Sequence, residues 1–484
     1  MPATDSPEII VARWLKQNRY EETLASFLGE AGLTEDAGLS SNDALTLEQI
    51  LEEKRLYDQS LQYEKRGEPT HQSWTSPAPS IPQILDVPQS SNILHVAVDQ
   101  LDSSDQVLSI TMADRRLMQT DPSSPVDDFE HVLTQDSPIL SWISVPGPDA
   151  VQWIGTTMSG RVFLYTPNDR SPSVSRIDHK RYCVKATLDT SNPNQWLLAT
   201  IGWDSKLNIY HITASTNSHG LAYISNLEEP SSSLDLQTIP EDILWITNPT
   251  PTTSHHDPNH SSSGSSSGSI LLLTRRDSSL LHYYLPTRPA PTLLGVQNLA
   301  PHAISWTIFT PSSISICPTD PTLLAVATSS LPHMKLILIR IRIPSNDSSN
   351  NSEKPAENQQ NVTSNDGNSF AYDPRAALAK ANADEAAIVH HVSTLAPQTP
   401  YSTPKVVWRP DGSGVWVNGD DGCVRGIERA TGKVVATLKG GHEAATKIRT
   451  LWAGYVDVSG KRQEWVISGG FDRRVVVWKI GKDE

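Results

Sequence analysis

Most of this 484-residue chain is a succession of short apolar segments separated by clusters of turn-forming residues. The pattern begins near residue 81 and recurs at repetitive spacing through the rest of the sequence. Short strands of this kind, each followed by a turn, are typical of β-propellers and other arrays of repeated β units. The sequence therefore predicts a mainly β fold over residues 81–484, in which each repeat packs against its neighbours.

The last repeat is the most regular one. It opens with Gly441 and His442, Ser468 lies four residues before Asp472, and Trp478 lies six residues after it. The repeat resembles a WD40 repeat. That resemblance implies a buried structural network of His442, Ser468, Asp472 and Trp478, in which the turn aspartate, the histidine, a strand hydroxyl and the indole N–H satisfy one another.

A weaker form of the same spacing occurs in the middle of the chain, where Thr200, Asp204 and Tyr210 keep the register and tyrosine replaces tryptophan. Seven such repeats can be placed, and we predict a seven-bladed WD40 β-propeller. They start near residues 94, 137, 180, 230, 300, 401 and 442.

The predicted propeller carries two insertions. WD40 blades need ~40–45 residues each, so residues 81–484 are longer than seven blades require. Polar, low-complexity segments at about 247–269 and 344–369 account for the surplus, and their composition predicts disorder.

The final repeat has too few residues after Trp478 to supply a fourth strand. We expect residues 81–88, which precede the first repeat, to provide that strand and close the ring. Closure removes the free edges of the sheets, which otherwise promote aggregation.

The N-terminal region has helical rather than β periodicity. Residues 6–35 contain two apolar stripes separated by Asn18-Arg19. This segment resembles a LisH (Lis1-homology) motif, a resemblance that implies a small helical homodimerisation module. Helices this short need a partner, which is either a second chain or the body of the same protein. The packing positions implied by the motif are Ile10, Trp14, Leu15, Tyr20, Leu24 and Phe27.

Two further segments separate this module from the propeller. Residues 45–66 are charged, with a loose heptad-like pattern, and predict an accessory helix too short for an independent coiled coil. Residues 67–80 are rich in proline and serine and predict a linker.

Composition excludes several classes of protein. The chain has 39 Lys+Arg against 54 Asp+Glu, a formal charge of −15, which argues against a dedicated nucleic-acid binder. No apolar run approaches the ~18 residues of a membrane-spanning helix, so we expect no membrane role. The three cysteines have no zinc-ligand spacing. Without a secretory signal at the N-terminus, we expect a cytoplasmic or nuclear location.

We predict no catalytic centre, cofactor or metal site. Gly264–Gly268 matches a nucleophile-elbow motif only in letters, because no strand precedes it and no helix follows it. His255, His256 and His260 lie in a flexible segment without a rigid second shell of residues. The apparent triad of Ser468, His442 and Asp472 is interpreted as the structural network described above.

Dibasic pairs flank three of the predicted turns, and a fourth lies in a connection between blades. In a WD40-type propeller these turns and connections emerge on the same face, so the pairs predict a basic surface suited to acidic or phosphorylated peptides. The alternative interpretation is that these are solvated turns that tolerate charge. The residues are Arg115, Arg116, Lys180, Arg181, Arg275, Arg276, Arg473 and Arg474.

Taken together, these patterns predict a non-catalytic scaffold or adaptor, dimeric through its LisH motif, that assembles other proteins on the faces of a propeller. The alternative is a substrate-receptor subunit of a ubiquitin ligase. The Trp-Asp-x-Arg tetrapeptide typical of such receptors is absent, and Trp203-Asp204-Ser205-Lys206 is the nearest approach to it.

Overall fold

The computed structural model describes residues 7–34, 36–37, 47, 74, 76–88, 90–101, 105–122, 129–145, 151–167, 172–193, 195–216, 222–247, 268–301, 309–344, 374–458 and 460–481. By its internal packing the chain divides into two units, residues 1–71 and residues 72–484.

The first unit contains the two short helices expected from the sequence, α1 (Pro7–Gln17) and α2 (Glu21–Ala31). They are separated at Arg19, whose φ of 61° is incompatible with a continuous helix. Helix α2 ends at Gly32, which adopts the left-handed conformation and donates its N–H to the carbonyl of Leu28. Nearly all of the predicted accessory helix at 45–66 lies outside the described residues.

The described part of the second unit forms seven four-stranded antiparallel sheets, the blades of a propeller, and this confirms the predicted fold class. In each blade we name the strands a to d in order from the centre outward. Blade 1 consists of β2 (Ile93–Gln100), β3 (Gln106–Met112), β4 (Arg116–Thr120) and β5 (Glu130–Thr134). Blade 2 consists of β6 (Ile139–Val145), β7 (Gln152–Thr157), β8 (Arg161–Tyr165) and β9 (Val174–Ile177).

The next two blades are longer. Blade 3 consists of β10 (Cys183–Asp189), β11 (Gln195–Gly202), β12 (Lys206–Thr213) and β15 (Ser232–Asp235), with the ribbon β13 (Ser215–Thr216) and β14 (Ala222–Tyr223) between its last two strands. Blade 4 consists of β16 (Pro240–Thr247), β17 (Ser269–Arg275), β18 (Leu280–Leu285) and β19 (Thr292–Asn298).

The last three blades include a helix and the closure of the ring. Blade 5 consists of β20 (Thr310–Cys317), β21 (Asp320–Ser329), β22 (His333–Arg340) and β23 (Ile388–Pro397), with α3 (Pro374–Ala387) before its outer strand. Blade 6 consists of β24 (Val406–Trp408), β25 (Gly414–Asn418), β26 (Val424–Glu428) and β27 (Val434–Leu438). Blade 7 consists of β28 (Ile448–Val458), β29 (Lys461–Gly470), β30 (Val475–Lys479) and β1 (Ile81–Leu85).

Strand β1 closes the ring, as the sequence predicts. It pairs antiparallel with β30 in a register that runs from Ile81 opposite Lys479 to Leu85 opposite Val475. The first strands of neighbouring blades contact one another in sequence, and β2 of blade 1 contacts β28 of blade 7. The propeller is therefore circular.

The core of the propeller lies between the blades. Seven buried hydrophobic clusters occur among the described residues, one at each junction of neighbouring blades. The alternation of side chains along a strand explains this arrangement. In β29, for example, Trp465 and Ile467 pack against blade 1, whereas Val466 packs against blade 6.

The linker prediction for residues 67–80 requires a correction from Trp74 onward. Trp74 packs against Trp416, with 5.4 Å between ring centroids, and a Cβ on Gly414 or Gly426 would fall within about 2.5 Å of its ring. The guanidinium of Arg409 covers the ring at 4.6 Å. The composition suggested a spacer, but a tryptophan opposite two glycines anchors this lead-in segment to blade 6.

None of the helices in the part of the chain that the structure describes has the length and apolar character needed to cross a membrane.

Candidate functional site

One end of the propeller collects the short connections of the chain. Because neighbouring strands of a blade are antiparallel, each b–c turn lies beside the start of strand a and the d–a connection that leads into it. In blade 7, His442 from the connection contacts Asp472 in the turn. We call this end, formed by the b–c turns and the d–a connections, the turn face.

The blade 7 residues selected from the sequence form one chain of hydrogen bonds. The indole N–H of Trp478 donates to Ser468 Oγ at 2.9 Å, and Ser468 Oγ lies 2.8 Å from His442 Nε2. His442 Nδ1 lies 3.0 Å from Asp472 Oδ2. Because the indole only donates and the carboxylate only accepts, the hydroxyl donates to Nε2 and Nδ1 carries a proton.

This arrangement holds a turn and does not expose a nucleophile. Burial alone would raise the pKa of Asp472, but hydrogen bonds from His442 and from the backbone N–H groups of Glu443 and Arg474 hold it below its usual value. Ser468 is fully buried. A substrate therefore has no direct access to its hydroxyl.

Blade 3 contains a related chain, with one residue that the sequence analysis missed. His179 lies 2.9 Å from both Asp204 Oδ1 and Thr200 Oγ1. Tyr210 stands where the tryptophan does in blade 7 and has a side-chain hydrogen bond with Thr200, and its hydroxyl also donates to Asp178 at 2.7 Å. The signal was a histidine shortly before strand a, preceded here by aspartate rather than by the usual glycine.

The dibasic pairs divide into engaged and exposed residues. Arg116 forms an ion pair with Asp114 in its own turn, and Arg474 Nη2 lies 3.1 Å from Glu443 Oε1. Exposed positions of the turn face are occupied by Arg115, Lys180, Arg181 and Arg473. In blades 1 and 7, the second arginine of the b–c turn thus braces the turn, and the first one extends into solvent.

Arg275 contradicts the prediction of a basic surface. It is buried as the last residue of β17, where its guanidinium lies 2.8 Å from His282 Nε2 and 3.3 Å from Gln237 Oε1. Every residue of β17 is buried, and Arg275 shares this burial because the strand extends through it. Arg276 begins the turn and remains partly exposed, with Nη2 2.7 Å from Glu241 Oε1.

At the centre of the turn face, the first strands of the blades share a backbone irregularity. In six blades the pairing of strand a with strand b shifts by one residue near its start, which is a β-bulge. Such bulges change the direction of the local side chains. The residues within the shifts are Leu94, Leu140, Val184, Glu241, Ser312 and Arg449.

Blade 4 contributes two carboxylates to this central opening, which we call the channel mouth. Asp242 is buried, forms an ion pair with Lys185 of blade 3 and accepts the N–H of Ile314 from blade 5 at 2.8 Å. The neighbouring Glu241 pairs with Arg276. Each of these two acidic groups therefore has a cationic partner.

Blades 6 and 7 contribute two cations to the same opening. Lys405 directly precedes β24, and Arg449 is the second residue of β28. Burial is the largest cause that lowers the pKa of Lys405; Lys185 and Arg449 lower it further, while Asp242 and Glu241 oppose them. Burial also lowers the pKa of Arg449. Electrostatic contact thus links residues of blades 3, 4, 6 and 7.

A histidine of blade 1 completes the channel mouth. Burial and the nearby charge of Lys405 lower the pKa of His95 to about 4, so its imidazole is neutral at pH 7. Its Nε2 lies 3.1 Å from the carbonyl oxygen of Trp142. None of these channel residues belongs to a sequence motif, which is why the sequence analysis did not find them.

Exposed aromatic side chains lie on the turn face in the turns and connections of blades 3, 6 and 7. Tyr182 and Trp203 stack with ring centroids 4.9 Å apart, and Arg276 lies over the Trp203 ring at 5.6 Å. Phe471, in the b–c turn of blade 7, is exposed beside Arg449. Tyr401, in the connection to blade 6, is 84% exposed.

The remaining sequence motifs are the nucleophile-elbow match, the histidine cluster and the Trp203–Lys206 tetrapeptide, and the described residues show no functional site at any of them. The described residues include no group of three or more His, Cys, Asp or Glu side chains arranged for a metal ion. Four of the five residues of the elbow-like motif, 264–267, lie outside the described residues, as do His255, His256 and His260. Trp203 and Asp204 stand in a b–c turn rather than at the end of strand c, and Asp204 is engaged by His179.

One protein-family model matches part of this chain and supports the propeller fold. This model, of a family described as "beta-propeller domain", matches residues 299–479. Among solved structures, Saccharomyces cerevisiae Sqt1 is similar with 10% identity and a TM-score of 0.48, over 84% of this chain and 100% of that one. Chaetomium thermophilum Sqt1, solved bound to the N-terminus of the ribosomal protein L10, has 15% identity and a TM-score of 0.45, over 77% and 80%. No curated protein matches the sequence.

Proposed function

We propose that this protein is a non-catalytic scaffold that holds partner proteins on the turn face of its propeller, in the cytoplasm or nucleus. The observation that carries the proposal is the composition of this face. Exposed aromatic side chains, which include Trp203, Tyr401 and Phe471, share this face with a charged channel mouth. Aromatic residues and arginine are the side chains most enriched at protein interfaces.

The rigidity of the propeller supports this assignment. The turns of blades 3 and 7 are fixed by buried hydrogen-bond chains through His179 and His442. Side chains on such turns are held in place before a partner arrives, so binding costs less conformational entropy.

Dimerisation through the N-terminal helices is a second part of the proposal. Of the six LisH positions, only Leu15 is buried, whereas Tyr20 is 50% exposed and the other four are partly exposed. This leaves an apolar surface on α1 and α2 that a second copy can cover. A dimer would present two turn faces and raise the effective concentration for bivalent partners.

Site-specific photo-crosslinking tests the binding face. A photoreactive amino acid replaces Tyr401 on the turn face, or Leu101, which is exposed after β2 at the opposite end of blade 1. In cells, the Tyr401 variant should crosslink to partner proteins, and crosslinking should fall when Trp203→Ser is added. Equal products from both positions would contradict the proposal.

Light scattering tests the helical module separately. The wild type is expected to be a dimer and the Trp14→Asp, Phe27→Asp double variant a monomer. A monomeric wild type would remove dimerisation from the proposal and leave the turn face untouched.

A further inference from the structure

Two cations of the channel mouth have no ion-pair partner among the residues that the structure describes. Within the part of the chain that the structure describes, the side chains of Lys405 and Arg449 make no ion pair and no hydrogen bond. The guanidinium of Arg449 makes a ring contact, 6.0 Å from the centroid of Phe471. Both side chains are half-buried, so they give up part of their hydration without gaining a partner, and this penalises the charged form.

The other charges described at the mouth cancel. Lys185 pairs with Asp242 and Arg276 pairs with Glu241, so these four groups sum to zero. His95 is neutral at pH 7, since its pKa is about 4. The mouth therefore keeps two positive charges, those of Lys405 and Arg449, in a chain whose formal charge is −15.

The two cations come from neighbouring blades and from the same level of the propeller. Lys405 directly precedes β24, and Arg449 is the second residue of β28. These two strands, the first of their blades, contact each other. Both residues therefore stand at the rim of one opening on the turn face. Phe471, in the b–c turn of blade 7, and Tyr401, in the connection to blade 6, provide exposed apolar surface on the same face.

We propose that the channel mouth binds an acidic peptide segment of a partner protein, with carboxylate side chains placed against Lys405 and Arg449. The inference rests on the proposed function and specifies the chemistry of the partner. Because the two cations are carried by separate blades, each can take a carboxylate of its own from nearby residues of the peptide. The peptide carboxylates supply a counter-charge to two cations that have no ion-pair partner among the described residues.

This site differs from the basic surface expected from the dibasic pairs. Arg116, Arg276 and Arg474 are already engaged with carboxylates of the chain, and Arg275 is buried. A charge that is already paired contributes less to a new contact than one that is not.

Fluorescence anisotropy with a labelled octaglutamate peptide tests the proposal on the full-length protein. Lys405→Met and Arg449→Met should each weaken binding about tenfold or more, the loss expected for one hydrogen bond to a charged group. Lys405→Arg should retain binding. The matched control is Lys439→Met, an exposed lysine in the connection between blades 6 and 7, which should bind as the wild type does.

Two further peptides define the ligand. Octaglutamine should not bind, and a peptide with a single phosphoserine among glutamines should bind less tightly than octaglutamate. Preference for the phosphoserine peptide would overturn the assignment to carboxylates. The site would be overturned if Lys405→Met and Arg449→Met bound octaglutamate with the same affinity as Lys405→Arg and Lys439→Met. It would also be overturned if the wild type did not bind octaglutamate at low salt.

The stability of the variants separates binding from folding. Removing a half-buried cation that has no ion-pair partner among the described residues should leave the thermal midpoint unchanged or raise it. Weak binding by a variant with a lowered midpoint would count against the proposal, because a folding defect would then explain the loss. If the Tyr401 crosslink persists while octaglutamate fails to bind, the scaffold function stands and the acidic-peptide site is refuted.

Discussion

The ion pair between Arg409 and Glu464 allows a sharp test of how the propeller is held closed. Arg409 follows β24 in blade 6, and Glu464 lies within β29 of blade 7. Their side chains are 1% and 6% exposed and meet through two hydrogen bonds, of 2.9 Å from Nε and 2.7 Å from Nη2. Arg409 also donates to the carbonyl oxygen of Pro77 at 2.9 Å and to Ser76 Oγ at 3.2 Å.

Replacing Arg409 by methionine leaves the buried carboxylate of Glu464 without a partner. Breaking a buried pair in this way costs about 3–5 kcal/mol, whereas replacing both partners by apolar residues is close to neutral. In the Arg409→Met, Glu464→Met double variant, the carbonyl of Pro77 still loses its donor, which costs about 1–3 kcal/mol. We therefore expect the double variant to recover a large part of the loss in the free energy of unfolding.

Urea denaturation monitored by tryptophan fluorescence measures these differences, with the Arg409→Lys variant as a charge-retaining control. Lysine keeps the charge but not the two-pronged geometry, so its loss should be intermediate. The reasoning is refuted if Arg409→Met costs less than about 1 kcal/mol, or if the double variant is less stable than either single one.

Three further predictions concern single residues. Asp472→Asn should cost about 1–3 kcal/mol in the free energy of unfolding at pH 7. Because folding lowers the pKa of Asp472, this stabilisation is present above the unfolded pKa and is lost as the pH falls through the folded pKa. The denaturation midpoints of variant and wild type should therefore converge below about pH 4. The pKa of His95 is about 4 in the folded protein against 6.5 for a free histidine, so between these values the folded protein binds fewer protons than the unfolded chain. The free energy of unfolding should therefore fall as the pH drops from 6.5 toward 4. When denaturation at pH 7 is compared with denaturation at pH 5, His95→Gln should remove about 1–2 kcal/mol of that loss. Trp74→Ala should lower the free energy of unfolding by about 2 kcal/mol, less than the loss of a fully buried tryptophan, because the Trp74 ring is only partly buried. Limited proteolysis should then cleave this variant near residue 74, whereas the Trp245→Ala control should not be cleaved there.

The repeat architecture was predictable because it depends on local patterns. Each blade is encoded largely by consecutive residues, and the missing fourth strand of blade 7 follows from counting the residues after Trp478. Arg275 shows the limit of that approach. A pair of arginines next to a turn aspartate suggests exposure, yet β17 extends through the first of the two, and this strand is buried along its whole length.

Contacts between distant parts of the chain could not be predicted in the same way. Tyr210 has the spacing of the usual tryptophan, but a phenol hydroxyl and an indole N–H project differently, and the hydroxyl reaches Asp178. Trp74 reads as part of a spacer until the glycines of blade 6 provide its groove. Such contacts arise only when segments far apart in sequence are brought together.

The two ends of the propeller differ in a way that favours the turn face as the binding surface. The polar insertions lie in the connection between β16 and β17 and in the connection between β22 and α3. Strand β16 is the a strand of blade 4 and β22 is the c strand of blade 5, and both run away from the turn face. The insertions therefore join strands at the opposite end. At the turn face, the b–c turns are short and fully described, from Ala113-Asp114-Arg115 in blade 1 to Phe471–Arg474 in blade 7. A surface made of short turns, two of them braced by buried histidines, can hold Lys405 and Arg449 in fixed positions, and fixed cations select a ligand by the spacing of its charges.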